Sequence, residues 1–111
     1  METVGVGIDI IQNSRLEKGN QFILKFLSLK EYKIYSALDQ QLQLEFVCGR
    51  WAAKEAIIKA TNKKYMYSEI TILDDDLGKP KIFIEDAQTD KILISISHEK
   101  KYTIAFAIVV K

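Results

Sequence analysis

Along Thr3 to Ile11, Val4, Val6, Ile8 and Ile10 alternate with Gly5, Gly7 and Asp9. A period of two predicts a β-strand with one apolar face and one nearly bare face that ends in a carboxylate. Glycines within a strand mark the close approach of a ligand or of another backbone. The stretch 12 to 21 is polar, carries Gly19 and Asn20, and reads as a loop or a short helix. Phe22, Phe26 and Leu29 then fall at helical spacing. Ser28 and Glu31 have the spacing of a capping box, which predicts a helix from about Leu29 to Leu38. The strongest helical stretch runs from Gln41 to about Thr61, with no proline and one glycine.

After this helix the pattern changes. A connector at Tyr65 to Ser68 leads to a short strand, Ile70 to Leu73. A turn through Gly78 and Pro80 separates it from a second strand at Lys81 to Glu85. From Lys91 to His98, Ile92, Ile94 and Ile96 point one way and Leu93, Ser95 and Ser97 the other. His98 keeps the parity of the isoleucines. Tyr102 to Val110 is apolar on both faces, so it is central in its sheet or covered by another subunit. A strand, then helices, then a run of strands predicts an α+β fold, with an antiparallel sheet packed against a long helix.

The chain has 111 residues, enough for one domain spanning 1–111 and no more. Lys and Arg total 16 against 15 Asp and Glu, a net charge of +1, which argues against a general nucleic-acid binder. The longest apolar run, Ile104 to Val110, is far short of the roughly 20 residues of a membrane span. Asp9 interrupts the first apolar stretch, and no secretory signal is expected. Cys48 is the only cysteine, so neither a disulfide within the chain nor a multi-cysteine zinc site can form. It is expected to be a small buried residue, and a reducing, cytoplasmic setting is expected. Only Arg15 and Arg50 are arginines, and a planar guanidinium fork does what lysine cannot.

The candidate chemistry lies in three places. A carboxylate such as Asp9 at the end of an apolar strand is costly unless paired, hydrogen-bonded or metal-bound, and capping the next turn serves it equally well. Trp51, Glu55 and Lys59 lie four residues apart on one helix stripe. Glu55 and Lys59 fit either an exposed ion pair or an inward-facing site beside the small Ala52, Ala53 and Ala56. His98 is the only histidine and stands at a strand end beside a charged turn. If Asp9 and Glu55 meet, two carboxylates suffice for a largely hydrated Mg²⁺, and Lys59 could meet a phosphate as a point charge.

Three blocks of sequence resemble the small bacterial holo-[acyl-carrier-protein] synthases, a class of 4′-phosphopantetheinyl transferase. They are Gly5-Val-Gly-Ile-Asp-Ile-Ile-Gln-Asn-Ser-Arg15, Glu45-Phe-Val-Cys-Gly-Arg-Trp-Ala-Ala-Lys-Glu-Ala-Ile-Ile-Lys-Ala60, and Ile94-Ser-Ile-Ser-His98 with Tyr102 after it. Gly78-Lys-Pro80 adds a smaller match. The resemblance implies transfer of the phosphopantetheine arm of coenzyme A to a serine of acyl carrier protein. Adenosine 3′,5′-bisphosphate would be released, in support of fatty acid biosynthesis. It implies a homotrimer with sites between subunits, and a requirement for Mg²⁺. By the same resemblance Asp9 and Glu55 are the metal ligands, and Lys59 partners the phosphate under attack. Arg50 and His98 contact coenzyme A, and Arg15 contacts the acidic carrier protein. Glu55, directly or through a metal-bound water, is the first candidate to accept the serine proton, and a water oriented by Asp9 the second; the sequence does not decide between them. The bare face of the first strand is expected to let metal and pyrophosphate lie against the backbone.

Two departures stand out. Many relatives have a glycine-rich segment after the Lys-Ala pair, where this chain reads Thr61-Asn-Lys-Lys-Tyr-Met-Tyr67. Residues 12 to 40 carry five basic residues (Arg15, Lys18, Lys25, Lys30, Lys33) and three acidic ones (Glu17, Glu31, Asp39). That is a thin excess for gripping an acidic partner. The rival readings are a non-catalytic module for an acidic protein and a different Mg²⁺-dependent phosphate enzyme. Neither accounts for the three blocks together.

Overall fold

The computed structural model describes residues 1–17 and 20–111. Strand β1 (Thr3–Gln12) comes first, followed by a 3₁₀ turn at Asn13–Leu16 and three helices. These are α1 (Asn20–Phe26), α2 (Leu29–Ser36) and α3 (Gln40–Thr61). A second 3₁₀ turn, Tyr67–Glu69, leads to β2 (Ile70–Asp74), β3 (Pro80–Ile84), β4 (Ala87–Thr89), β5 (Ile92–His98) and β6 (Tyr102–Val110). The α+β expectation holds, with one refinement: the strands form two antiparallel sheets, β1-β6-β5 and β2-β3-β4. Lys18 and Gly19, expected in a loop or a short helix, lie outside the described residues.

The helices start and stop where side chains satisfy their ends. Ser28 Oγ accepts from the Glu31 amide and Glu31 Oε1 accepts from the Ser28 amide, the predicted capping box of α2. Asp39 caps α3 by accepting from the Leu42 amide at 3.0 Å. Asn62 ends α3 in the left-handed region, at φ 56°. Strand β4 has no counterpart in the sequence pattern. Glu85 and Asp86 make its tight turn at φ 48° and 69°, without the glycine that would announce such a hairpin.

The apolar and bare faces of β1 sit opposite to intuition. The bare face is the inner one. A Cβ at Gly5 would stand 2.0 Å from the Ala60 carbonyl oxygen, and one at Gly7 2.1 Å from that of Ala56. Helix α3 therefore rests directly on β1, and Ala52, Ala53, Ala56, Thr103, Ala105 and Ala107 are fully buried in the same layer. This overturns the expectation that metal and pyrophosphate lie along the glycines, because helix backbone fills that space. Val4, Val6, Ile8 and Ile10 instead face outward and are more than half exposed. Strand β6 is central, as its two apolar faces require, with Ile8 paired to Phe106 and Ile10 to Ile104 on the outer side.

A buried ion pair joins the layers. Lys54 Nζ donates to Glu31 Oε1 at 2.6 Å, to the Phe26 carbonyl at 2.7 Å and to the Tyr67 carbonyl at 2.9 Å. That occupies all three donors of the ammonium. Glu31 Oε2 accepts from the Ile72 amide at 2.8 Å. Both side chains are fully buried. Burial pulls the Lys54 pKa down, and the Glu31 carboxylate partly restores it. One charge pair thus holds α1, α2, α3, β2 and the turn that carries Tyr67.

Candidate active site

Asp9 stands on β1 opposite Ala105, on the face that α3 covers. Lys59 reaches it from the last turns of α3. Its Nζ lies 3.2 Å from Asp9 Oδ1 and donates to the Ile8 carbonyl at 2.9 Å. The Asp9 side chain is 15% exposed and that of Lys59 53%, so the pair lies where the helix–sheet seam meets solvent. The exposed Glu55–Lys59 pair allowed by helical spacing is not made. Lys59 turns to Asp9, and Glu55 Oε1 accepts the hydroxyl of Tyr67 at 3.0 Å.

Glu55 and Lys59 stand one turn apart on one stripe of α3, so the Tyr67 contact to Glu55 and the Lys59 contact to Asp9 fall at the same seam. Burial raises the pKa of the Tyr67 phenol, the hydrogen bond to Glu55 raises it further, and the charges of Glu55 and Asp9 both act in the same direction. The ring lies against Trp51, with centroids 5.0 Å apart. Asp9, Glu55, Lys59 and Tyr67 therefore converge at the junction of β1, α3 and the 67–69 turn. Sequence reasoning missed Tyr67, which opens the 3₁₀ turn Tyr67–Glu69 between α3 and β2.

The donor set suits a hard, hydrated cation. Asp9 and Glu55 supply carboxylate oxygens, and among the described residues no third His, Cys, Asp or Glu joins them. Mg²⁺ keeps several waters and is commonly held by one or two carboxylates together with substrate phosphates. A closed zinc-type site would need more nitrogen or sulfur ligands than are present here.

The remaining candidates are placed apart from this cluster. Arg50 is buried and directed at β2: its Nε and Nη2 donate to the Ile72 carbonyl at 3.2 and 2.8 Å, and Nη2 is 4.0 Å from Asp74. Its guanidinium also lies over Phe46, 4.1 Å from the ring centre. The arginine fork is thus a brace between α3 and β2, and among the described residues Nη1 has no partner. Arg15 is exposed in the 3₁₀ turn that follows β1.

His98 stands at the end of β5 on the same inner face as Asp9, one row along: Ile11, Thr103 and His98 lie side by side, next to Asp9, Ala105 and Ile96. Gly49 of α3 leaves room for its ring, since a Cβ there would stand 3.1 Å from Cε1. The hydrogen bonds assign its tautomer. Asn13 Nδ2 donates to the carbonyls of Glu99 and Lys100, so Asn13 Oδ1 is the acceptor for the Thr103 hydroxyl at 2.8 Å. With that proton committed, Thr103 Oγ1 accepts from His98 Nδ1 at 3.2 Å. Among the described residues, Nε2 has no hydrogen-bond partner.

Cys48 is fully buried, as expected. Among the described residues no helix is long and apolar enough to cross a membrane.

The family model described as the 4′-phosphopantetheinyl transferase superfamily matches residues 5–107. The chain is 41% identical over 103 residues to the holo-[acyl-carrier-protein] synthase of Mycoplasma capricolum, covering 93% of this chain and 91% of that one. It is 38% identical over 114 residues to the enzyme of the same name from a Geobacillus strain, covering 96% and 95%. Among solved structures, a holo-(acyl-carrier-protein) synthase from Bacillus anthracis in complex with CoA (3′,5′-ADP) matches with a TM-score of 0.87 and 33% identity, covering 98% of this chain and 97% of that one.

Proposed function

The chain belongs to the 4′-phosphopantetheinyl transferase superfamily, and we propose that it moves the phosphopantetheine arm of coenzyme A to a serine of apo acyl carrier protein, with adenosine 3′,5′-bisphosphate as the other product. The observation that carries this reading is the Lys59–Asp9 pair at a solvent-reached seam, one helical turn from Glu55, in a chain with these relatives.

Transfer at a pyrophosphate asks a protein mainly for alignment and for charges placed where charge develops. Asp9 and Glu55 are the residues that would hold Mg²⁺. When bound, the ion supplies positive charge beside the pyrophosphate. Lys59 needs only to swing its half-exposed ammonium from Asp9 toward the phosphate under attack. Glu55 would receive the serine proton through an intervening water. His98 offers Nε2, and Arg50 its remaining Nη1, to the phosphates of the nucleotide half. Arg15, exposed just past β1, faces the acidic carrier protein.

The outward face of the β1-β6-β5 sheet supports a homotrimer. Val6, Ile8 and Ile10 of β1, Ile104 and Phe106 of β6 and Leu93 of β5 are between about two fifths and three fifths exposed on one continuous surface. Apolar patches of this kind mark interfaces. Asp9 lies on β1, an edge strand of its sheet, which suits a site completed by a neighbouring subunit. A lone buried thiol fits a reducing cytoplasm.

The test is direct. Incubated with apo carrier protein, coenzyme A and Mg²⁺, the protein should add one phosphopantetheine mass to the carrier and release the bisphosphate, and EDTA should stop both. No mass gain on several carrier proteins, with the protein folded, would overturn the reading.

A further inference from the structure

The connection after α3 supplies a side chain to the carboxylate cluster, and that side chain is fixed at every point. The Tyr67 ring stacks on Trp51, which packs in turn on Phe22 and Phe26 at centroid distances of 5.2 and 5.4 Å. The Tyr67 carbonyl is held by the buried Lys54 ammonium at 2.9 Å. With the ring and backbone both anchored, the hydroxyl donates to Glu55 Oε1 at 3.0 Å. A phenol has one proton to give, so a single carboxylate oxygen is engaged. Among the described residues, Oε2 has no protein partner.

We propose that Tyr67 is a positioning residue that holds the Glu55 carboxylate as a one-oxygen ligand for a divalent cation shared with Asp9. The proposal rests on the metal reading of Asp9 and Glu55 given above. A glutamate has three side-chain rotors, and a ligand already oriented by a fixed donor loses less freedom when the ion binds. Hydrogen-bonding partners of metal ligands typically change affinity by about 10- to 100-fold when removed. In this protein the donor comes from the 3₁₀ turn Tyr67–Glu69, so orientation of the ligand is tied to the α3–β2 connection.

Tyr67→Phe removes the hydroxyl and keeps the ring. Mn²⁺ alone is the probe, its free fraction read by electron paramagnetic resonance, with Asp9→Asn as a control. The wild type should bind Mn²⁺, Asp9→Asn should lose it, and Tyr67→Phe should bind it about 10-fold more weakly or worse. The thermal midpoint of Tyr67→Phe should be unchanged, as should the emission maximum of Trp51, the only tryptophan. In turnover assays the Mg²⁺ concentration needed for half activity should rise in parallel while the KM for coenzyme A stays put. Mn²⁺ binding lost in Asp9→Asn but unchanged in Tyr67→Phe overturns the role of Tyr67 and leaves the metal site standing. Mn²⁺ binding that survives Asp9→Asn overturns the metal site and the proposal with it. A weakened affinity accompanied by a shifted Trp51 emission assigns the loss to the ring stack and overturns the positioning role.

Discussion

Lys59 Nζ lies 3.2 Å from Asp9 Oδ1, which joins the C-terminal half of α3 to the carboxylate of β1. One partner of this pair is half exposed, and such pairs contribute only about 0–1 kcal/mol to stability. Its value is therefore placement of charge. Lys59→Met should leave the unfolding midpoint nearly unchanged and lower kcat about 100-fold, with a smaller change in the KM for coenzyme A. Steady-state kinetics with saturating carrier protein would show this, and an unaltered kcat would remove Lys59 from the chemistry.

The Glu31–Lys54 pair makes the opposite prediction. Both side chains are fully buried, and together they hold the backbone of Phe26, Tyr67 and Ile72. Lys54→Met strands an uncompensated carboxylate in the core. Breaking a buried pair from one side costs about 3–5 kcal/mol. Urea unfolding should register that loss. The double change Glu31→Gln with Lys54→Met should recover part of it.

Cys48 sets a dependence on alkaline pH. Burial, with a smaller push from the Glu17 charge, raises its thiol from 9.0 to about 11. Between those values the unfolded chain has released the thiol proton and the folded chain has kept it. The folded state then binds more protons, so this group makes stability fall as pH rises from about 9 toward 11. Urea midpoints measured across that window should fall more steeply in the wild type than in Cys48→Ala. Native protein at pH 8 should also resist thiol reagents, and rapid stoichiometric labelling would contradict the burial.

Ile8 and Phe106 are cross-strand partners on the outward face of the sheet, 60% and 40% exposed. If that face is the trimer interface, Ile8→Glu places three charges in one apolar contact. Light scattering should show a trimer for the wild type and a monomer for the variant, with helix content retained and transfer strongly reduced. A wild type that is monomeric at micromolar concentration with full activity would contradict the trimer.

Periodicity exposed much of this fold because long elements repeat their signal. The α3 helix, the capping box at Ser28 and Glu31, and the central place of β6 all follow from spacing and residue type. The glycine face of β1 was legible as a close approach, but spacing left open whether of a ligand or of backbone. A helix lined with alanine needs glycine beneath it, and Gly5 and Gly7 provide that approach. Strand β4 escaped because an acidic pair, Glu85 and Asp86, took the positive-φ turn. In the site, the ion pair of Asp9 with Lys59 had no counterpart in the sequence motifs, which gave Lys59 to a phosphate and paired Asp9 with Glu55. Tyr67 was invisible because its hydroxyl meets Glu55 only after the chain folds back from α3. The second task of Arg50, bracing β2 through the Ile72 carbonyl, is likewise a long-range contact with no local pattern.

The central claim is that Asp9 and Glu55 form the metal-dependent centre of a transferase. The most direct test is the mass of apo carrier protein after incubation with coenzyme A and Mg²⁺, comparing wild type with Asp9→Asn and Glu55→Gln. The account predicts a full phosphopantetheine shift with the wild type, none with EDTA, and at most traces with either folded variant. Wild-type rates from both variants at ordinary Mg²⁺ concentrations would contradict it.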